Sequence, residues 1–410
     1  MMIHMKRRLF PLLGLLFCPV LINAGCSNHT EVPALHIPKV KEAMMYDMKL
    51  SNTKVLPELQ LHHAGILKKD GLHLTKKDSI VKLNKFYALA ERVVRYHVRF
   101  SSDATATFRS SLSDFGAYVD VPNQRISIAT SPAIEKKVPF LYGNREYIVE
   151  VYHVYQKAIV RIIDARTKQS VEITAVNDGS GGCGKGALQK GFSVGMQWDH
   201  YCFGLVSGTS VLIKRITVCA LKNKVKVLIY GDSITQPEGY FPTKDFPKAW
   251  TQLIIAKLNH DAMSSGRGGG NIRDLLEYIK NELPFIKAKY VIVTIGTNGG
   301  NTEENLTELV RYIKSLGKIP ILNNIPCNES GTQVSNNRLI EAVRQKEGIN
   351  GVKFDLPTSL KGDGQEVDKS LMYWEDYTGS YGWQIYHHPN ELGGKKMFEQ
   401  TLKDIPEIYQ

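Results

Sequence analysis

The hydrophobic pattern of this chain changes its period once, close to residue 222, and this change constrains the fold more than any other feature. Before it, apolar residues recur at every second position, as in the segment VRYHVRF at residues 94–100. A period of two is typical of a β-strand with one buried face. After it, short buried strands alternate with amphipathic helices. That order predicts an all-β domain followed by an α/β domain with a parallel sheet.

The all-β domain is expected over residues 80–222, as a sandwich of short strands. Turn-forming clusters such as NDGSGGCGKG, residues 177–186, separate the strand-like runs, and no long amphipathic helix interrupts them. Residues 26–79 mix turn formers with weak periodicity, and we expect them to form a tether and a lead-in segment. The predicted strands are 94–100, 117–121, 125–129, 147–152, 159–163, 171–174 and 211–218.

The α/β domain is expected over residues 223–410. The alternation of strand and helix patterns predicts right-handed crossovers and a layer of helices on each face of the sheet. Ligands of such sheets bind at the carboxyl ends of the strands, so a functional site is expected there. The predicted strands are 225–231, 290–296, 319–325 and 351–356, and the predicted helices are 246–258, 272–283, 302–316 with Thr302 as N-cap, 336–346 and 390–405.

The N-terminal segment, residues 1–25, begins with basic residues, continues with an apolar stretch and ends in small residues. This is the pattern of an export signal, and the apolar stretch is too short to span a membrane. Ala24-Gly25-Cys26 also resembles a bacterial lipobox, which would make Cys26 the lipidated first residue of the mature chain. Cleavage after Ala24 by an ordinary signal peptidase is the alternative. We expect a periplasmic or cell-surface lipoprotein of the bacterial envelope, held at the membrane only by its lipid anchor.

The charged residues and the cysteines exclude some partners and leave others open. The formal net charge is +12, but the basic residues are spread along the chain and form no nucleic-acid-binding motif. We therefore expect no nucleic-acid partner, while an acidic polysaccharide or an anionic lipid surface stays open. The cysteines show no zinc-binding spacing, and export permits a disulfide between Cys183 and Cys202.

Four polar segments follow predicted strands or lie in loops of the α/β domain. They are Gly231-Asp232-Ser233, the glycine-rich SSGRGGGN at residues 264–271, Gly296-Thr297-Asn298, and HHPN at residues 387–390. In this order on an α/β background, they resemble the SGNH, or GDSL-type, hydrolase family. The resemblance implies a three-layer α/β/α hydrolase domain. The preceding sandwich loosely resembles the jelly-roll domains, often lectin-like, that precede some carbohydrate esterases.

The resemblance also implies roles for individual residues. Ser233 would be the nucleophile, and His388 would be the base that removes the proton of its hydroxyl. The N–H groups of Ser233 and Gly266 and the side chain of Asn298 would form an oxyanion hole, whose donors stabilise the tetrahedral intermediate of acyl transfer. No metal or cofactor is implied.

Other assignments of these residues stay open. Ser233 could cap a helix, Asn298 could be a plain turn residue, and the glycine-rich segment could be only a flexible loop. We expect Asp232 to accept hydrogen bonds from the turn rather than to act as a catalytic acid. The alternative site residues are Gly268 or Gly269 in place of Gly266, and His387 in place of His388.

The acid of the usual family pattern is missing. It normally lies three residues before the histidine, where this chain has Ile385, and an isoleucine can neither orient an imidazole nor stabilise its charged form. Glu375 or Asp376 could approach from an elongated loop instead. A backbone carbonyl could hold His388 and leave a Ser–His dyad. Weak or absent activity is the third outcome.

We interpret the sequence as an exported serine esterase that hydrolyses acyl esters, above all acetyl esters, on a carbohydrate through an acyl-enzyme at Ser233. One alternative is a non-catalytic glycan-binding protein with a degenerate hydrolase site, and another is an acyltransferase that uses the same serine. A group of aromatic residues could form a sugar-stacking rim near His388 or could pack in the core: Trp374, Tyr377, Tyr381 and Trp383.

Overall fold

A computed structural model describes residues 41–51, 57–61, 64–110, 116–130, 133–176, 201–376, 378, 382 and 384–410. The export signal over residues 1–25 and the lipidation of Cys26 fall outside these residues and stay predictions, as does the pairing of Cys183 with Cys202. Among the residues described, no helix combines the length and the apolar character needed to cross a bilayer.

The first part of the chain is built from strands. In chain order they are β1 Ala43–Lys49, β2 Leu59–Gln60, β3 Gly65–Lys68, β4 Gly71–Leu74, β5 Ser79–Leu83, β6 Glu91–Phe100, β7 Thr105–Ser110, β8 Gly116–Asp120, β9 Arg125–Ile128, β10 Ile134–Lys137, β11 Glu146–Val154, β12 Lys157–Asp164, β13 Ser170–Val176, β14 Tyr201–Ser207 and β15 Val211–Ala220.

These strands form two antiparallel sheets. One has the order β13-β12-β11-β6-β15-β4-β3, with β1 also paired to β15, and the other has the order β10-β9-β8-β7-β14-β5-β2. Aromatic side chains from the two sheets meet between them: Tyr96 of β6 packs on Phe108 of β7 and on Phe203 of β14, with ring centroids 4.8 and 5.4 Å apart. The all-β prediction is therefore confirmed, and the architecture is a sandwich with an apolar core.

The described part of the predicted tether and lead-in segment, residues 26–79, is not a tether. Strand β1 pairs with β15 from Ala43 opposite Ala220 to Lys49 opposite Arg215, and β3 and β4 extend the same sheet. The sequence pattern was weak there because β2 to β4 have only two to four residues each. So short a strand cannot show a period of two. Strands β3 and β4 form a local hairpin, and β4 joins it to the sheet by pairing with β15, which is distant in sequence.

In the described residues from 223 onwards, the chain contains a parallel sheet and six α-helices. Its strands are β16 Val227–Gly231, β17 Ala262–Gly266, β18 Tyr290–Thr294 and β19 Ile319–Leu322, in the order β17-β16-β18-β19. The helices are α1 Trp250–Lys257, α2 Ile272–Glu282, α3 Glu303–Ser315, α4 Gln333–Glu347, α5 Asp355–Thr358 and α6 Glu391–Asp404. Short 3-10 helices are Pro237–Gly239, Phe246–Lys248, Leu283–Phe285, Lys369–Leu371 and Pro406–Tyr409.

Alternate residues of β16 point into two different apolar clusters. Leu228 and Tyr230 lie in a cluster that contains the buried faces of α2, α3 and α4. Val227 and Ile229 lie in a second cluster with the buried residues of α1 and α6. Helices therefore cover both faces of this four-stranded sheet, as the alternation of strand and helix patterns predicts.

Two predicted elements of this region differ in the structure. The helix expected over 246–258 begins only at Trp250, because Pro247 sits in a 3-10 turn and Ala249 is extended. The strand expected over 351–356 is reduced to a parallel bridge between Asn350 and Ile321. At Gly351 the chain passes so close to the carbonyl of Leu322 that a Cβ there would lie 1.9 Å from its oxygen, so only glycine fits.

Residues Val40–Gln410 form one compact unit, in which the sandwich and the parallel sheet share a buried boundary. The carboxylate of Glu282, at the end of α2, lies in it. Its Oε1 accepts hydrogen bonds from the N–H groups of Ala88 (2.6 Å) and Leu89 (2.9 Å), and its Oε2 accepts one from Ser265 Oγ of β17 (2.7 Å). One carboxylate thus joins the chain segment before β6 to the edge of the parallel sheet.

Candidate active site

Three strands of the parallel sheet end in register beside Ser233. Gly231 of β16 is paired with Gly266 of β17 on one side and with Thr294 of β18 on the other. Ser233 lies two residues beyond Gly231 in a tight turn, and only 3% of its surface is exposed. The turn continues into the 3-10 helix Pro237–Gly239 and not into an α-helix, so Ser233 does not cap an α-helix.

Asp232 serves the turn that carries Ser233. Its Oδ1 accepts a hydrogen bond from the N–H of Ile234 at 3.0 Å. Burial raises the pKa of its carboxyl to about 6, although the Ile234 N–H, the charge of His387 and a contact with Thr297 act in the opposite direction. The carboxylate of Asp232 therefore lies where it accepts a hydrogen bond from the backbone of the turn.

The glycine-rich segment packs beneath the same turn. A Cβ on Gly266 would lie 2.7 Å from the backbone nitrogen of Gln236, so no larger residue fits without a shift. The N–H of Gly268 donates to Gln236 Oε1 at 2.7 Å, and the N–H of Gly270 donates to the carbonyl of Arg267 at 3.0 Å. Of the three glycines considered as oxyanion donors, Gly268 therefore already uses its N–H in the fold.

Asn298 is an exposed residue in the loop that follows β18. Its Nδ2 donates one hydrogen bond to the carbonyl of Gly270 at 2.8 Å. An amide nitrogen carries two hydrogens, so the second remains for another acceptor. The Gly270 contact orients the amide without using up its capacity as a donor.

His388 lies in a two-stranded antiparallel sheet made of β20 Met372–Asp376 and β21 Gln384–Pro389. Its Nδ1 lies 2.5 Å from Glu375 Oε1, and both side chains are buried. Glu375 is paired with Ile385 across the two strands. The carboxylate beside the histidine therefore comes from the strand opposite Ile385, the position at which the family pattern puts its acid.

The charges of this pair are set by burial and by each other. Burial by itself raises the pKa of Glu375, but the adjacent His388 and His387 outweigh it and lower this pKa to about 2. Burial lowers the pKa of His388 below its ordinary value, and Glu375 opposes part of that change. Near neutral pH the pair is an ionised carboxylate and a neutral imidazole, which is the protonation state that a general base needs.

The other two candidates near His388 are placed differently. Asp376 Oδ1 accepts a hydrogen bond from the N–H of Thr378 at 3.0 Å, so it closes a local turn at the end of β20. His387 Nδ1 lies 3.7 Å from Glu375 Oε2, on the other oxygen of the same carboxylate. Atoms of Glu375, His387 and His388 that could bind a metal ion lie within 4.8 Å of one another. The hydrogen bond between Glu375 Oε1 and His388 Nδ1 already occupies one such atom of each of these two residues.

A small apolar cavity separates Ser233 from the helices behind it. Ser233, His388, Tyr240, Phe241 and Trp250 are among the residues that line it, and its water-accessible volume is about 10 Å³. That is room for about one water molecule. Within the described chain, the Nε2 of His388 is buried and has no hydrogen-bond partner. The atom that would receive a proton from Ser233 is thus not used by the fold.

Sequence reasoning did not find Tyr240. Its ring stacks on the imidazole of His388, with centroids 3.8 Å apart and planes 20° apart. Nothing in the local sequence marks it, because the contact joins residues that are far apart in the chain. Of the four aromatic residues proposed as a sugar-stacking rim, Trp374 is partly exposed on β20, and Tyr377, Tyr381 and Trp383 lie outside the described residues.

No family model matches this chain, and no curated protein matches it. It is similar to a solved family two carbohydrate esterase from Cellvibrio japonicus, at 11% identity and a TM-score of 0.32 over 90% of this chain and 99% of that one. A GDSL-like lipase from Bacteroides thetaiotaomicron is 16% identical, with a TM-score of 0.33 over 44% of this chain and 86% of that one.

Arcelin-5, a lectin-like defence protein from Phaseolus vulgaris, is 11% identical, with a TM-score of 0.32 over 43% of this chain and 97% of that one. At TM-scores this low, the three likenesses carry no argument about what this chain does.

Proposed function

We propose that this protein is a serine ester hydrolase of the SGNH type, in which Ser233, His388 and Glu375 form the catalytic triad. One observation carries the proposal. A buried imidazole is held at Nδ1 by a carboxylate, leaves Nε2 without a partner in the described chain, and shares a cavity with a serine at the end of a parallel strand. A nucleophile, a base and a group that orients the base are what acyl transfer requires.

In the proposed mechanism, Ser233 Oγ attacks the carbonyl carbon of the ester while its proton passes to His388 Nε2. Glu375 stays ionised and stabilises the imidazolium that forms. The proton then passes to the leaving alcohol, and the acyl group remains on Ser233. Water attacks this acyl-enzyme in the same manner, with His388 again the base, and releases the carboxylic acid and the free serine.

The N–H groups of Ser233 and Gly266 and the Nδ2 of Asn298 are the proposed donors to the oxyanion. Gly266 is favoured over Gly268 because the Gly268 N–H is already bonded to Gln236. Gly269 stays an alternative. Each donor of this kind lowers the barrier by roughly 3–4 kcal/mol when it is aimed at the developing charge.

The proposed substrate is a short acyl ester, above all an acetyl ester, on a carbohydrate. The apolar cavity beside Ser233 has room for about one water molecule and therefore offers no space for a long acyl chain, which favours the shortest acyl group. The carbohydrate part rests on the export predicted from residues 1–25, since polymers outside the cell are the acylated molecules that an exported esterase meets. Because a fold does not by itself determine a substrate, the carbohydrate part is tested separately from the esterase activity.

The test is hydrolysis of 4-methylumbelliferyl acetate by the whole chain and by Ser233→Ala. We expect a burst of fluorophore that is stoichiometric with enzyme, followed by slower turnover, and a loss of at least about 10³-fold in turnover in the variant. Replacing the acetyl group by butyryl and octanoyl groups measures the expected preference for a short chain. Release of acetate from an acetylated xylan tests the carbohydrate part.

The alternatives predict other results. A protein that binds acetylated xylan but shows no hydrolysis dependent on Ser233 with any acyl ester would be the non-catalytic glycan-binding protein. Transfer of the acetyl group to an added sugar in excess of hydrolysis would indicate the acyltransferase. Either outcome contradicts the proposed hydrolase.

A further inference from the structure

The turn between β11 and β12 reaches from the sandwich to the α/β domain. It consists of Tyr155 and Gln156. The N–H of Tyr155 donates to the carbonyl of Ala90 at 3.0 Å, its hydroxyl donates to Glu91 Oε1 at 2.9 Å, and its ring packs on Phe246 at 5.9 Å. Tyr155 has a φ of 52°, in the left-handed region that the first residue of a two-residue hairpin turn commonly adopts. The tip of this hairpin is therefore firmly anchored.

Gln156, beside Tyr155, directs its side chain into the boundary between the two domains. Only 4% of its surface is exposed. Its Nε2 donates to the carbonyl of Phe241 at 2.7 Å and to the carbonyl of Glu238 at 3.3 Å. We call residues Pro237–Phe241 the covering loop. The two carbonyls lie on either side of Tyr240, so one amide of the sandwich holds the covering loop at two points.

The covering loop contacts the base and the strand that carries the proposed acid. Tyr240 stacks on the imidazole of His388, at 3.8 Å between centroids. Phe241 meets Tyr373 of β20 edge to face, at 5.5 Å, and Glu375 follows on the same strand. A ring that lies flat against an imidazole blocks its rotation about χ2, which the hydrogen bond at Nδ1 alone restricts less.

We propose that Gln156 is a positioning residue for the hydrolase site: it seats the covering loop so that Tyr240 keeps the imidazole of His388 in place beside Ser233. This inference rests on the proposed function, since it takes His388 to be the base. It gives the sandwich a part in catalysis that is distinct from binding a glycan or acting as a spacer.

The test compares Gln156→Leu with Gln169→Leu in the full chain. Leucine is close to glutamine in size but has no donor, so the first change frees the covering loop. Gln169 lies exposed in the next turn of the sandwich, between β12 and β13, and is the matched control. For Gln156→Leu we expect kcat with the fluorogenic acetate to fall roughly tenfold while KM changes little, because a small misplacement of the base slows chemistry more than binding. The control keeps the parent kcat.

A second readout does not depend on turnover. The pKa of His388 is measured by NMR in histidine-labelled protein, with the signal assigned by its loss in His388→Gln. The titratable groups that face this imidazole in the described chain are Glu375, His387 and Tyr240. Burial lowers the pKa of His388, so admission of water beside a loosened Tyr240 raises it in Gln156→Leu. This shift is measurable even if no ester is hydrolysed, in which case the proposed function fails and the role of Gln156 in seating the loop is still tested.

The variant Tyr240→Leu tests the contact between the covering loop and His388. It replaces Gln156→Leu as the test if that variant does not fold. It removes the stacked ring and is expected to raise the pKa of His388 in the same direction. If both single variants fold, the effects in the double variant must be smaller than their sum, because both changes act through one contact. A folded Gln156→Leu with the parent kcat and an unchanged His388 pKa overturns the proposal, as does Tyr240→Leu with an unchanged pKa, or strict additivity of the two changes.

Discussion

The imidazole of His388 is held from two sides in the described structure. Glu375 Oε1 lies 2.5 Å from its Nδ1, and the ring of Tyr240 lies flat on one of its faces. The second oxygen of Glu375 lies 3.7 Å from His387 Nδ1, so one buried carboxylate lies next to both imidazoles. Burial without these partners would favour the neutral acid, and the neighbouring imidazoles keep it ionised. At the scale of single residues, the orientation of His388 at Nδ1 therefore depends on this carboxylate.

Replacing Glu375 by Gln tests this dependence. The amide keeps the size of the carboxylate but cannot stabilise an imidazolium, so we expect kcat for the fluorogenic acetate to fall roughly 10³–10⁴-fold. Asp376→Asn, one residue along the same strand, is the matched control and is expected to change kcat less than about threefold, since its carboxylate closes a local turn.

If Glu375→Gln kept most of the parent kcat, the triad would be wrong and a Ser–His dyad would describe the site better. A loss of the same size in Asp376→Asn would show instead that the hairpin tolerates no change in charge.

At the scale of elements, three helices of the α/β domain, α2, α3 and α6, start where a local side chain satisfies their first N–H groups, and α1, α4 and α5 start without such a cap. Helix α3 begins after Thr302, whose Oγ1 accepts from the N–H of Asn305 at 3.3 Å while Asn305 Oδ1 accepts from the N–H of Thr302 at 2.8 Å. Helix α4 also follows a threonine, Thr332, but that residue has helical backbone angles and its hydroxyl does not cap the helix. The same residue type thus has two different effects at equivalent positions.

We expect Thr302→Ala to lower the free energy of unfolding by about 1 kcal/mol, because the N–H of Asn305 loses its acceptor. Thr332→Ala should lower it by less, since no capping hydrogen bond is lost there and its Oγ1 accepts only the long hydrogen bonds from Asn328 Nδ2 and Ser330 Oγ, both at 3.2 Å. Urea unfolding followed by circular dichroism measures both values. Equal losses in the two variants would contradict the distinction drawn from the cap geometry.

At the scale of the whole molecule, the sandwich and the parallel sheet are joined by buried polar contacts as well as by apolar packing. Glu282 accepts hydrogen bonds from both parts, and burial raises the pKa of its carboxyl to about 7 from an ordinary 4.5, although its donors act in the opposite direction. The folded protein therefore holds a proton at this carboxyl at a pH where the unfolded chain has lost it. Linkage makes the free energy of unfolding fall as pH rises through that window.

The replacement Glu282→Gln removes this titration. We expect the parent to lose stability relative to Glu282→Gln as pH rises from about 4.5 to about 7. Outside that range, the difference between the two unfolding free energies should stay constant. Urea unfolding at about pH 4.5, 5.5, 6.5 and 7.5, which covers the range between these two pKa values, measures the unfolding free energy of each variant. Glu277→Gln, on the exposed face of the same helix, is the control. Parallel curves for the parent and Glu282→Gln would show that the carboxyl does not change its proton binding on folding.

Much of the fold follows from local pattern. The change of period near residue 222 predicted the β-sandwich and the strand–helix alternation after it, because a strand repeats every second residue and a helix every 3.6. The order of the four polar segments indicated which strand ends to compare, and Thr302 was placed correctly as a helix cap. The short strands β2 to β4 and the bridge at Asn350 were not predicted, since they have too few residues to show a period. In addition, β2, β4 and the bridge depend on partners elsewhere in the chain.

The sequence by itself determined the candidates for nucleophile and base, Ser233 and His388, because each lies in a short motif whose residues are consecutive. It left Glu375, Asp376 and a backbone carbonyl open as partners of the histidine. Only the tertiary structure placed Glu375 beside it, 13 residues away, and Gln156 beside Phe241, 85 residues away. Such contacts depend on the register of two strands and on the packing of two domains, which are decided by the free energy of the whole fold and not by local spacing.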